Sequence, residues 1–322
     1  MSGLREVAEE KGLQIGTCVD YSVWKDDKEY RDIVAKEFNL LTPESCLNWR
    51  YIHPEKEEFD FEKPDALIDF AENNDMEVTG IPLVWHLENP EWLENGDFSS
   101  EELEEILKNH IKTTVSRYSG KIDTWTVINE GVNDNGELRE NLWLENIGEE
   151  YIEKAFRWAA EYSDAELFYN DYGLPYDKEK RERVYQLLSN LLDKGVPIDG
   201  IGLQMHFIGI QATPDEVAET IQRFQELGLE VRMTEMDIAY QKEEAPEKIE
   251  EEQAKYYREI FQTCLNNSLT SLSVWGVRDN ESWINHFRDY DQKYTDRPLL
   301  FDKEGNKKKA YREVRKLIKN SS

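Results

Sequence analysis

Cysteine is scarce in this chain: Cys18, Cys46 and Cys264 are the three among 322 residues. They are too few and too scattered for a disulfide framework or a zinc site, so three buried free thiols are expected. His53, His86, His110, His206 and His286 show neither H-x-H nor H-E-x-x-H spacing, which removes the usual metal signatures. No glycine-rich phosphate loop follows a strand candidate, and no cofactor is expected. The sixth strand candidate ends without a lysine, which disfavours Schiff-base chemistry. No apolar run approaches the length of a membrane span, and the opening MSGLREVAEE does not have the pattern of a signal peptide. No Pro-, Gly- or Ser-rich stretch interrupts the chain. One domain over residues 1–322, with no linker and no accessory module, is therefore expected.

Positive charge is also in short supply. Thirty-nine Lys and Arg face 68 Asp and Glu, a net charge of −29. Such a surface repels nucleic acid and anionic membranes, so neither is expected as a partner, and a monomer is expected. The charge fits a highly solvated surface or adaptation to high salt. Lys outnumbers Arg, however, and a salt-adapted chain would be expected to shed Lys.

Aromatic residues are plentiful: nine Trp, sixteen Tyr and twelve Phe. They build cores, but a flat ring also covers the C–H face of a sugar, and composition alone does not separate the two uses. Short apolar runs alternate with longer amphipathic ones. The strand candidates are LQIGTCVD (13–20), FNLLTPES (38–45), VTGIPLVW (78–85), DTWTVINE (123–130), AELFYNDY (165–172), IDGIGLQMHF (198–207), EVRMTEMDI (230–238) and SLSVWGV (271–277). Eight strand–helix units argue for a parallel sheet closed into a single (β/α)8 barrel, a fold that typically takes about 250 residues. Two helices are clearly punctuated. Thr213, Pro214 and Glu216 form a capping-box start with Gly228 at the far end, and Ser99 with Glu102 opens another. His110 lies on the apolar stripe of the second and reads as a core histidine.

All strands of such a barrel point their C-terminal ends to one mouth, where barrel enzymes keep their sites. One candidate closes at Glu130 and another carries Glu235 near its end, separated by two further units. Paired carboxyls across a cleft are the equipment of glycosidic bond hydrolysis. Alternation places Glu235 with Asp237 on one face, and Gln204 with His206 on a face of the preceding strand. His206 is thus expected to bridge Glu235 and Asp237, which orients Glu235 and favours its charged form as a nucleophile. Asn129, next to Glu130, is a neutral donor suited to a sugar hydroxyl.

Taken together these residues resemble glycoside hydrolase family 10, the retaining endo-β-1,4-xylanases. TPES…NW (42–49), PLVWH (82–86), INEGVNDNG, FYNDYG, DGIGLQMHF, RMTEMDI, VWGVRDNESW and PLLFDKEGNKKKAY follow the family's order and spacing from about Leu13 to Tyr311. The resemblance implies double displacement through a covalent glycosyl-enzyme on xylan or xylo-oligosaccharides. Glu130 would be the acid/base and Glu235 the nucleophile, with carboxyls roughly 5–5.5 Å apart. It further implies that Asn129 bonds the 2-hydroxyl of the sugar under attack and that Gln204 contacts the same sugar. His206, held by Asp237, would orient Glu235. Trp85, Trp275 and Trp283 would wall the non-reducing side, Tyr172 would face the leaving group, and Glu44 and His86 would line the glycone side.

Four positions depart from the family pattern. Ser45 stands for Asn, Asn48 for Lys, Ile81 for His and Glu88 for Gln, all in the floor that grips the first two glycone sugars. Each lost hydrogen bond typically costs about 0.5–1.5 kcal/mol, and more when charged. Glu88 adds an acceptor and a negative charge, and Arg278 is the candidate to compensate for the missing cation. These changes leave open a different β-linked glycan or β-glycoside under the same mechanism. A non-catalytic carbohydrate-binding barrel is a third reading, against which the retention of both glutamates, Asn129, His206 and Asp237 argues.

Overall fold

A computed structural model describes residues 2–240, 246–286 and 296–321. Its nine parallel strand segments form one closed sheet with eight barrel positions. They are β1 (Gln14–Val19), β2 (Leu40–Pro43), β3 (Glu77–Gly80), β4 (Thr124–Asn129), β5 (Glu166–Asp171), β6 (Gly200–Leu203), β7 (His206–Ile208), β8 (Glu230–Ala239) and β9 (Ser271–Val274). From β1 to β6 each pairs with the next, both β6 and β7 pair with β8, β8 pairs with β9, and β9 closes on β1. The expected (β/α)8 barrel is therefore the fold, and all eight strand candidates are present in it.

Two candidates are broken where backbone chemistry requires it. The third stops at Gly80 because Pro82 has no N–H to donate to a ladder. The chain rejoins the barrel beyond it, where Leu83 and Val84 donate to Thr126 and Val127 of β4 at 2.9 Å. The sixth splits into β6 and β7 at Met205, whose φ of 60° is left-handed. That turn ends one strand and re-aims His206.

Helix signals read from the sequence are in place. Ser99 and Glu102 form a reciprocal capping box on the helix Ser100–Arg117, and Thr213 and Glu216 do so on Pro214–Gln225. Each pair satisfies two backbone donors that a helix start leaves orphaned. Leu103, Leu107, His110, Ile111, Thr114 and Val115 are buried on the first helix. His110 stacks on Trp49 with ring centroids 3.5 Å apart, and burial pushes its pKa well below the ordinary value. It is a neutral core residue. The three cysteines are buried and free. Among the described residues no helix is long and apolar enough to cross a membrane.

The two strands that end in the glutamate motifs each carry one extra residue. On β4, Thr126 and Ile128 stand opposite consecutive residues Phe168 and Tyr169 of β5. On β8, Met233 and Met236 stand opposite Leu272 and Val274 of β9, three steps against two. Such bulges bend the strand and redirect the side chains that follow. In each strand the bulge lies within three residues of the glutamate.

Candidate active site

The barrel mouth opens into a cleft of about 1050 Å³. Its wall includes Glu44, Asn48, Trp85, His86, Asn129, Glu130, Tyr172, Gln204, His206, Glu235, Trp275 and Trp283. Asp237, the remaining candidate, is fully buried immediately behind that wall. Every site residue singled out from the sequence thus falls at one mouth.

Glu130 and Glu235 are joined by a short chain of amides. Asn129 Nδ2 donates to Glu130 Oε1 at 3.1 Å, and Asn170 Nδ2 donates to Asn129 Oδ1 at 2.8 Å and to Glu235 Oε1 at 2.6 Å. Gln204 Nε2 adds bonds of 3.2 Å to both Asn129 Oδ1 and Glu130 Oε1. Asn170, the centre of this chain, was not singled out from the sequence. A polar amide at the end of an apolar strand run, within FYNDYG, was the available signal, because a buried amide needs partners. Gly202 on β6 makes room for it. A Cβ built there would stand 2.1 Å from Asn170 Oδ1 and 2.7 Å from Thr234 Cγ2.

The two carboxyls sit in unlike electrostatic settings. Around Glu235, His206 Nε2 lies 3.1 Å from Oε2 while its Nδ1 lies 3.0 Å from Asp237 Oδ1, the bridge expected from strand alternation. Trp283 Nε1 donates to Asp237 Oδ2 at 2.7 Å and completes the relay. Burial opposes a charge on His206, but Asp237 and Glu235 outweigh it and raise its pKa to about 10. His206 is therefore an imidazolium at neutral pH, with both ring nitrogens donating. Around Glu130 the balance is reversed. Burial, and then the charge of Asp171, raise its pKa above the carboxyl norm, against the bond from Gln204. His86 comes within 3.9 Å of Glu130 Oε2, yet burial, with Arg139 and Lys180 nearby, pushes its pKa down to about 4. It is a neutral imidazole and no ion-pair partner.

The backbone at Glu130 is left-handed, with φ of 56°. For a non-glycine residue that conformation costs on the order of 1–3 kcal/mol, a cost met only where surrounding contacts enforce it. Behind Tyr172 lies a second group of residues that the sequence did not disclose. The buried Lys180 places Nζ 2.8 Å from Asp171 Oδ1 and 3.2 Å from the centre of the Tyr172 ring. Tyr172 OH donates to Asp134 at 2.6 Å and accepts from Arg139 Nη2 at 2.9 Å.

At the other end of the cleft, Ser45, Asn48, Ile81 and Glu88 all line the wall. Asn48 is 7 % exposed, and among the described residues its amide has no hydrogen-bond partner. Glu44 is raised to about 8 by burial and then by Asp20 and Glu235, so it is a protonated donor at neutral pH. Glu88 lines the cleft as an acidic acceptor, with Arg50 Nη1 3.2 Å from its carboxylate. One expectation fails here. Arg278 does not replace the missing cation. It is buried outside the cleft wall, against Asp27 at 2.8 Å and Glu281 at 2.6 Å.

A family model described as Glycosyl hydrolase family 10 matches residues 3–317. The chain is 40% identical to endo-1,4-beta-xylanase B of Thermotoga neapolitana, over 98% of this chain and 91% of that one. It is 43% identical to the beta-1,4-xylanase of Dictyoglomus thermophilum, over 88% and 83% of the two. Among solved structures it is similar to xylanase 10B of Thermotoga petrophila in complex with xylobiose. That match has a TM-score of 0.95 at 37% identity and covers 99% of this chain and 97% of that one.

Proposed function

Since the chain belongs to glycosyl hydrolase family 10 and is a glycoside hydrolase, we propose that it cleaves β-1,4-linked xylan and xylo-oligosaccharides, with Glu130 as general acid/base and Glu235 as nucleophile. The observation that carries the assignment is the difference between the two carboxyls. The pKa of Glu130 is raised by burial and then by Asp171, the direction that suits a proton donor. Glu235 accepts from Asn170 and from the His206 imidazolium, contacts that orient its oxygens for attack.

In the first step Glu235 attacks the anomeric carbon while Glu130 passes its proton to the glycosidic oxygen, and the C–O bond to the leaving sugar breaks. The product is a covalent glycosyl-enzyme and a released alcohol. In the second step Glu130, now ionised, takes a proton from water, whose oxygen attacks the same carbon and expels Glu235. Two inversions give net retention. Asn129 and Gln204 are bonded to Glu130 and project into the cleft, where they are suited to contact the hydroxyls of the sugar under attack. Trp85, Trp275 and Trp283 supply ring faces for the glycone sugars, and Tyr172 one for the leaving sugar.

The glycone floor supports a second reading at the level of substrate. Ile81 offers no hydrogen bond, and Asn48 offers a neutral amide where the family pattern has a cation. Plain linear xylo-oligosaccharides are therefore expected to bind with a raised KM, and another β-linked glycan in a substrate panel with a lower one. Closure of one sheet by strands spanning residues 14–274 supports a single catalytic domain. We read it as a monomer whose acidic surface disfavours nucleic acid and anionic membranes.

Glu235→Ala should abolish turnover, and azide should rescue it by forming a glycosyl azide of inverted configuration. Turnover near that of the unsubstituted chain would refute the nucleophile assignment.

A further inference from the structure

We propose that Arg139 is a positioning residue for acid catalysis: it holds the left-handed backbone of Glu130 and thereby the aim of its carboxyl. This inference rests on Glu130 being the acid. Arg139 Nε donates to the Glu130 carbonyl at 2.8 Å, and Nη2 donates to the Val132 carbonyl at 3.3 Å and to Tyr172 OH at 2.9 Å. One guanidinium therefore ties residue 130, the loop after it and the tyrosine across the leaving-group side. Its planar fork suits this task, because donors at fixed angles constrain several acceptors at once.

One other side chain meets the peptide after Glu130: the Gly131 N–H donates to the Tyr169 hydroxyl, so that Arg139 is the side-chain donor to the Glu130 carbonyl among the described residues. The Glu130 N–H donates to the Asn170 carbonyl at 2.9 Å, which fixes the preceding peptide. Backbone bonds return Arg139 itself to the site: its N–H donates to the Gly131 carbonyl at 2.9 Å, and Val132 bridges Leu138 in antiparallel fashion. Arg139 is thus delivered by a small hairpin that starts at the residue it restrains. Without the guanidinium the Glu130 carbonyl loses its side-chain donor, which weakens the restraint that keeps Glu130 at φ 56° rather than in a relaxed conformation. Relaxation would swing the carboxyl away from Asn129 and Gln204, whereas Glu235, held by His206 and Asn170, would stay in place.

The selective loss of acid assistance has a kinetic signature. Aryl β-xylobiosides share one glycone and one leaving-group size, while the acidity of the phenol varies. Poor leaving groups need the proton from Glu130, whereas good ones depart without it. The slope of log(kcat/KM) against phenol pKa therefore measures acid catalysis separately from binding.

For Arg139→Gln we expect a steeper slope. The least acidic phenol should lose at least tenfold in kcat/KM, and the most acidic should stay within about twofold of the unsubstituted chain. Arg139→Lys, with a single head group, should fall between the two. Glu130→Gln is the reference and should steepen the slope most. A uniform drop for all phenols in Arg139→Gln, with an unchanged slope, would overturn the inference while leaving the acid assignment intact. An unchanged slope in Glu130→Gln would instead overturn the acid assignment. If Arg139→Gln does not fold, Arg139→Lys decides, and an unchanged slope there is the refuting result.

Discussion

Adding one carbon at Gly202 should disable the site without touching a catalytic group. The new Cβ of Gly202→Ala would stand 2.1 Å from Asn170 Oδ1 and 2.7 Å from Thr234 Cγ2. Ordinary contact begins above 3 Å, so Asn170 must retreat by about 1 Å. It has little freedom to do so, because Thr234 Oγ1 holds its Oδ1 at 2.8 Å and its Nδ2 serves both Asn129 and Glu235. A displacement of about 1 Å in a positioning group can cost on the order of 100-fold in rate, roughly 2.7 kcal/mol of transition-state stabilisation. The overlap itself should lower stability by about 1–3 kcal/mol. The assay is kcat/KM on a xylo-oligosaccharide alongside a urea unfolding curve. Gly16→Ala is the control. Its Cβ would meet Ser273 Oγ at the same 2.1 Å, but Ser273 makes no described bond to either glutamate. Comparable stability losses with a large activity loss only in Gly202→Ala are expected. If Gly202→Ala retains activity within threefold, or if the two variants lose activity equally, the reasoning about Asn170 is refuted.

Asp171→Asn removes the charge that, after burial, most raises the Glu130 pKa, and it leaves the Lys180 cation with only the more distant Asp134 at 3.7 Å. Both changes favour ionised Glu130, so the basic limb of the kcat/KM profile should move to lower pH, with a stability loss of about 3–5 kcal/mol for the broken buried pair. A limb that stays put or moves to higher pH would contradict this. His206 has a folded pKa near 10 against an ordinary value near 6.5. Its contribution to stability is therefore complete below about pH 6.5 and lost as pH rises through about 10. The stability gap between the unsubstituted chain and His206→Gln, measured by urea unfolding from pH 6 to 10.5, should narrow across that window. A constant gap would contradict the charged assignment.

The strand ends were readable because a barrel turns period and polarity into position. A run such as TWTVINE carries no amide or ionisable side chain until its last two residues, and buried acids at strand ends need a partner or a task. The same logic placed His206 between Glu235 and Asp237, since alternation on two adjacent strands brings those faces together. What escaped were partnerships that alternation does not dictate. Asn170 earns its role by meeting Asn129 and Glu235 from two other strands. Lys180 lies on a helix and reads as a surface cation, yet it is fully buried against Asp171 and Tyr172. Arg278 was misread for the same reason, since its partner Asp27 is remote in sequence. The bulge before Glu130 and the one that contains Glu235 leave no compositional trace, because they exist only as a mismatch in count between two strands.

Those mismatches bear on how the site could be moved. In a regular strand the parity of a position decides whether a side chain faces the lumen or the helices, and an extra residue reverses parity for everything after it. Glu130 and Glu235 thus owe their outlook to an insertion as much as to their identity. Transplanting the glutamates onto another barrel by matching residue for residue would copy the letters and lose the phase. A faithful graft would carry the surplus residue of each strand, together with the neighbouring strand against which it is counted.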